Sequence, residues 1–281
     1  LVARLQREGH EVVPIVRGPG RPGIVMDTEA ETIDVENFAG FTAVVHLAGH
    51  NVAAGRWTKR QKQLIRSSRI GPTRLLAEAA AASESKPALI CASAVGFYGD
   101  RGDQTLKESA PPGEGFLAEV CQAWEAACDP LREAGGRVVN LRLGVVLSRK
   151  GGALAKMLTP FRLGLGGPVG SGRQYMPWVS LEDVVGAICH AIDQPSLSGP
   201  LNITAPEPVR QKDFAKTLGR ALGRPAFMPM PAFVIRLLLG REMADQMLLS
   251  STRALPEALL ESGYTFEHST LEEALDAALK D

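Results

Sequence analysis

Apolar positions along the chain follow two alternating rhythms: short dense runs, and longer stretches with helical spacing. Residues 1–10 read as the second half of a charged amphipathic helix, with Leu1, Ala3 and Leu5 on one face and Gly9 as its stop. Residues 11–16 are a short strand-like run ending at Arg17, interrupted by Pro14, which cannot donate to a sheet ladder. After a loop at 18–23, residues 23–27 predict another short strand, and 42–47 predict a buried one that stops at Ala48-Gly49. The pattern then gives a long helix over 58–82, a strand over 88–93, a helix over 116–134 and a strand over 137–142. A helix over 181–192 and a strand over 201–204 follow. Strands alternating with helices predict βαβ units, and hence a doubly wound parallel sheet of the α/β class. Beyond Pro206 the spacing turns helical, over 210–222, 232–239, 241–249 and 271–279. The expected organisation is a Rossmann-like unit over 1–205 and a small, mainly helical substrate-side module over 206–281.

Composition narrows the function. Lys+Arg and Asp+Glu both total 31 of 281 residues, so the chain lacks the basic field that nucleic-acid binding requires, and no nucleic-acid partner is expected. Nor is there a polybasic cluster or a transmembrane-length apolar run, and no membrane association is expected. The charged opening segment does not read as a signal peptide, which gives a cytoplasmic reading. None of the four cysteines forms a CxxC pair, so zinc-ribbon and thioredoxin-type sites are excluded. His46 and His50 lack the Glu of a metalloprotease helix, and no metal is expected.

Doubly wound sheets bind ligands at the carboxyl ends of their strands, so the residues just after each strand carry the candidate chemistry. Arg17 holds the position where an acidic residue would bind a ribose 2′-hydroxyl; an arginine suits a 2′-phosphate and favours NADP over NAD. Ala48-Gly49 either lets the backbone approach a cofactor closely or is a plain tight turn. Ser93, at the end of a central strand, is a candidate for polarising a substrate carbonyl, and Tyr98 for proton transfer. Both could equally cap and pack the turn. Residues 164–172 are glycine-rich without the GxGxxG spacing, and read as a substrate-side loop rather than a phosphate cradle. Asn202 heads a glycosylation sequon, but it falls in a buried strand.

The order and spacing of several stretches resemble the epimerase-like, NADP-binding family 39U of the extended short-chain dehydrogenases/reductases. They are His46-Leu-Ala-Gly49, Trp57 with Ser67-Ser-Arg69, Ala92-Ser-Ala-Val-Gly-Phe-Tyr-Gly99, Trp124-Glu125 and Leu141-Arg-Leu-Gly-Val-Val-Leu147. Further on come Pro160-Phe-Arg-Leu-Gly-Leu-Gly-Gly167 and Pro177-Trp-Val-Ser-Leu-Glu-Asp183, and the resemblance extends to the C-terminal module. It implies an NADP site in which Val16 and Arg17 face the adenosine ribose and its phosphate and Leu47 and Ala48 line the cofactor. Leu64 and Arg69 occupy contact positions on the long helix, and Val146 sits near the nicotinamide. Two departures stand out. The family's first strand and GxxGxxG turn have no counterpart in this sequence, so an N-terminally incomplete unit is expected. The usual Tyr-x-x-x-Lys pair is replaced by Leu117 and Cys121. The implied activity is an NADP(H)-dependent, epimerase-like oxidoreductase acting on a small carbonyl or sugar-nucleotide-like substrate. The missing pair raises the alternative of a non-catalytic NADPH-binding sensor or scaffold.

Overall fold

A computed structural model describes residues 1–18 and 20–280. Helix α1 (Val2–Arg7) buries Leu5 and stops before Gly9, which takes the left-handed conformation that glycine accepts most easily. The expected strand over 11–16 is reduced to β1 (Ile15–Val16), because Pro14 contributes only its carbonyl, to Ile24 N at 2.9 Å. β1 runs parallel to β2 (Ile24–Asp27), which returns antiparallel as β3 (Thr32–Ile33). Then come β4 (Ala43–His46) and α2 (Lys59–Ala82), whose N-cap Thr58 accepts from Gln61 N. Next, β5 (Ala88–Ala94) ends in a 3₁₀ turn over Val95–Tyr98, and β6 (Thr105–Leu106) follows. The single helix expected over 116–134 is two, α3 (Phe116–Ala126) and α4 (Asp129–Glu133), because Pro130 has no N–H to continue the first ladder and instead starts the second.

β7 (Val138–Leu143), β8 (Val145–Leu147), α5 (Gly152–Arg162), β9 (Tyr175–Met176), β10 (Trp178–Ser180), α6 (Leu181–Asp193) and β11 (Gly199–Ile203) complete the alternating part. The remainder holds β12 (Val209–Arg210), α7 (Gln211–Ala221), α8 (Ala232–Leu239) and α9 (Arg241–Ala244), which runs into a π-helical turn over Asp245–Leu249. After it come β13 (Arg253–Ala254), α10 (Glu257–Glu261) and α11 (Leu271–Lys280). This tail is mainly helical, but β12 pairs with β9 and β13 with β6, which stitches it to the preceding elements. An apolar cluster of Leu154, Phe161 and Trp178 with Phe214, Leu218 and Leu275 spans the same boundary.

The central sheet has the order β11-β7-β5-β4, and all its pairs are parallel. Both faces are covered, as parallel sheets require. Leu89 and Cys91 of β5 pack with Leu76 and Ala80 of α2 and Trp124 of α3, whereas Ala88 and Ile90 meet Val184 and Ile188 of α6. Beyond β4 the sheet is interrupted. β1, β2 and β3 form a separate sheet, and a cavity of about 500 Å³ lies between residues 12–15 and β4, walled also by Leu5, Leu76 and Ile192. No described strand pairs with that edge of β4. α6 starts at a tight cap: Ser180 Oγ accepts from Asp183 N at 3.0 Å and donates to Asp183 Oδ2 at 2.6 Å. Buried Asp183 also accepts from Tyr264 OH and from Glu267 N and His268 N, so it anchors the tail. Among the described residues no helix is long and apolar enough to cross a membrane.

Candidate cofactor and substrate site

The carboxyl ends of β1, β4, β5 and β7 lie along one edge of the molecule, and two cavities open there. In the first, beside β4, Arg17 meets Leu47 and Ala48. Val16 is half-buried one residue before Arg17. Leu47 is 45% exposed at the end of its buried strand. His46 lines the same cavity; it is almost wholly buried, and its Nε2 has no partner among the described residues. Burial, and then the charges of Arg17 and Arg69, hold its pKa down at about 4, so the ring is neutral at pH 7.

Arg69 reaches from α2 to fix the chain after β4. Its Nη1 donates to His50 O and Ile65 O, both at 3.0 Å, and its guanidinium lies 4.9 Å from the Trp124 ring centre. Ser68 Oγ accepts from His50 N at 2.9 Å. A Cβ on Gly49 would stand 3.0 Å from Arg69 Cζ, so the small residue permits this approach. The Ser67-Ser-Arg69 motif therefore shapes the loop after β4. Leu64, 40% exposed on α2, and Val146, half-buried on β8, line neither cavity.

Ser93 and Tyr98 turn away from both openings. Ser93, 2% exposed, donates its hydroxyl to Glu125 Oε1 at 2.7 Å. Glu125 is gripped by Arg142 through two bonds of 2.9 Å, a bidentate pair. The Arg142 guanidinium, 3.5 Å from the Phe97 ring centre, donates to the Tyr98 hydroxyl at 2.9 Å, and that hydroxyl donates to Asn202 Oδ1 at 2.7 Å. Tyr98 is wholly buried, and burial pushes its phenol above the usual range against the pull of Arg142. It is a neutral phenol with both faces of its hydroxyl engaged. This geometry runs against the acid–base role read for Tyr98 and the carbonyl-polarising role read for Ser93: the two belong to one closed network and not to an open cleft. Asn202, whose Nδ2 donates to Leu255 O at 2.8 Å, is an interior residue and its sequon is inaccessible.

The second cavity, about 430 Å³, lies beyond β5 and β7 and is closed on its far side by the turn over Asp245–Leu249. Leu117 and Cys121 line it, so the positions that would carry a Tyr and a Lys face the opening and are occupied by a hydrocarbon and a thiol. Burial raises the Cys121 thiol to about 12, which keeps it protonated and unreactive at neutral pH. Gln246 Oε1 accepts from Leu117 N at 2.9 Å, so a tail residue closes the N-terminus of α3. Beside the cavity, Arg56 donates to the carbonyls of Leu237 and Leu238, and Lys62 pairs with Glu242; the loop carrying Val52 is thus clasped to the tail. The glycine-rich stretch at 164–172 is zipped to residues 228–230, with Met228 N donating to Gly166 O and Gly170 N to Met230 O. A Cβ on Gly167 would overlap the Met228 carbonyl, so these glycines serve close backbone packing, not a phosphate.

Glu125, Arg142 and Gln246 are partners of the candidate residues that sequence reasoning misses. Trp124-Glu125 and Leu141-Arg142 stand among the motif stretches, but nothing in a sequence shows that a glutamate and an arginine 17 positions apart share one buried pair.

A family model described as the NAD dependent epimerase/dehydratase family matches residues 1–204. The chain belongs to that family. A second model, a domain of unknown function (DUF1731), matches residues 230–278 of this epimerase-family chain. The epimerase family protein Mb2239 of Mycobacterium bovis is 45% identical over 280 residues, covering 99% of this chain and 92% of that protein. The crystal structure of human epimerase family protein SDR39U1 (isoform 2) with NADPH superimposes with a TM-score of 0.88 at 34% identity, covering 100% of this chain and 94% of the human one. The UDP-glucose 4-epimerase of Thermus thermophilus, in complex with NAD, superimposes at 0.74 with 20% identity, over 99% and 93% of the two chains, which is a likeness of fold. The Rossmann-like α/β reading and the epimerase-family resemblance are both shown.

Proposed function

We propose that the chain binds NADP(H) along the carboxyl edge of its sheet and acts as an oxidoreductase or epimerase-like enzyme on a small molecule. The observation that carries this reading is the meeting of Arg17, from the end of β1, with Leu47 and Ala48, from the end of β4, in one cavity. A guanidinium there suits a 2′-phosphate, and the small Ala48 lets an adenosine ribose approach the backbone. The human relative's structure with NADPH supports the choice of cofactor. Val16 and Arg17 would hold the adenosine end, Leu47 and Ala48 the middle, with Leu64 and Arg69 from α2 and Val146 toward the nicotinamide. Within this division 1–205 supplies the cofactor side and 206–281 the substrate side. Arg17, Leu47 and Ala48, which share one cavity, suit the adenosine end of the dinucleotide. The described residues contain no glycine-rich turn for its pyrophosphate. When bound, NADP(H) supplies or takes up a hydride; the chain's own part is to orient it and exclude water.

Ser93 and Tyr98 enter this reading as residues that position the strand ends through the Arg142–Glu125 pair. Leu117 and Cys121 cannot pass a proton at neutral pH, which favours as second reading an NADPH-binding sensor or scaffold without turnover. Calorimetric titration tests the first claim: NADPH should bind at least about tenfold more tightly than NADH, and Arg17→Ala should remove that preference. Equal affinities would sink the cofactor assignment. NADPH oxidation with a panel of carbonyl compounds then separates enzyme from sensor.

A further inference from the structure

The second cavity has a chemistry that the family's sugar-nucleotide members do not prepare one for. Its charged lining side chains are carboxylates: Asp100, Glu114 and Asp245. Asp245 is held by Arg236 at 2.8 Å, and Asp100 Oδ1 accepts from Ser251 N, so both also have structural partners. The walls are apolar, with Leu117, Val145, Met157, Met176 and Met247 prominent. Methionines make such walls adaptable.

A nucleoside diphosphate needs guanidinium, ammonium or free helix N–H groups to replace its lost hydration. Of the helix starts that reach this cavity, α3 has its Leu117 N–H taken by the neutral amide oxygen of Gln246 and α7 has its Gln211 N–H taken by the Gln174 carbonyl, while α5 reaches it through Ala153. Arg142, behind the wall, is committed to Glu125. Arg210 and Arg253 lie on the ring of Tyr175, at 4.5 and 5.1 Å from its centre, but neither lines the cavity, and Arg210 is paired with Asp103. Arg253 has a buried Nε without a partner and is the guanidinium most able to contradict an uncharged ligand. Gln174 spends its amide N–H groups on the carbonyls of Val169 and Leu248, and Gln211 engages only its amide oxygen, which accepts from Val169 N; a neutral amide N–H does not balance a diphosphate's charge.

We propose that this cleft takes an uncharged, largely apolar carbonyl compound or its alcohol and excludes nucleoside-diphosphate sugars. The proposal rests on the NADP(H) reading for its biological setting but is tested apart from it. A volume near 430 Å³ suits a small molecule of this kind.

The test is a pair of calorimetric titrations of the chain, with trans-2-decalone and with UDP-glucose, each with and without saturating NADPH. The expected result is decalone binding at least about tenfold tighter than UDP-glucose, weakened at least about tenfold by Leu117→Trp or Met247→Trp and unchanged by Arg253→Gln. Two cleft variants are specified so that a misfolded one, identified by its melting temperature, leaves the other to decide. UDP-glucose binding the tighter, above all if Arg253→Gln abolishes it, overturns the proposal. So does an absence of decalone binding, or decalone binding that neither cleft variant alters. Failure of NADPH to bind would remove the cofactor reading alone, because the titrations without it still decide the cleft.

Discussion

The two flanks of β5 are built on opposite terms. Toward β7 and β11, parallel ladders are reinforced by a buried polar network in which Ser93, Glu125, Arg142, Tyr98 and Asn202 join β5, α3, β7, the turn after β5, and β11. Toward β4 and β1 the ladder stops, and apolar side chains face a cavity with one unpartnered histidine nitrogen. One flank is held by directional bonds that tolerate no missing member. On the other, the β4–β5 ladder gives way beyond β4 to side-chain packing around a cavity, which loses contacts without losing partners.

Breaking the network should have the largest effect. Glu125→Ala leaves the Arg142 guanidinium, 3% exposed, without its counter-charge, and should cost about 3–5 kcal/mol in urea unfolding. The double variant Glu125→Leu with Arg142→Met should recover most of that loss, since a buried pair replaced by matched apolar groups is nearly neutral. A single-variant loss below about 1 kcal/mol would erase the contrast between the flanks.

The cavity flank should respond to pH instead. His46 is neutral in the folded protein down to about pH 4, whereas in the unfolded chain it takes up its proton near 6.5. As pH falls from 6.5 toward 4 the unfolded state gains that proton first. Stability should therefore be complete above 6.5 and decline by up to about 3 kcal/mol across the window. His46→Gln should flatten this decline in unfolding curves at stepped pH; an unchanged slope would assign the acid sensitivity elsewhere. The smallest effect is kinetic. Amides of β4 and β1 should exchange with deuterium about tenfold faster than those of β5 and β7, and equal protection would mean that the flanks open together.

Much of the architecture was legible because period and burial agree. The runs at 42–47 and 88–93 became β4 and β5, and Thr58 marked the start of α2 as a cap should. Arg17 and Ala48 stand out as candidates from strand ends alone, and both line one cavity. Pro14 and Pro130 show where periodicity misled: a missing N–H shortened one expected strand and split one expected helix. The network was out of reach because its members lie far apart in sequence and look ordinary singly. For the same reason a serine and a tyrosine beside a strand end suggested chemistry, when the partners that occupy their hydroxyls could not be seen.

The clasp between residues 56–62 and the tail responds unevenly to salt. Lys62 and Glu242 form an exposed ion pair, and Arg56 holds two carbonyls at the end of α8. The first tie weakens as salt screens it over about 8 Å at physiological ionic strength; hydrogen bonds to carbonyls resist salt far better. Raising the ionic strength should therefore slacken one of the two ties that hold residues 56–62 to the tail and leave the other fastened.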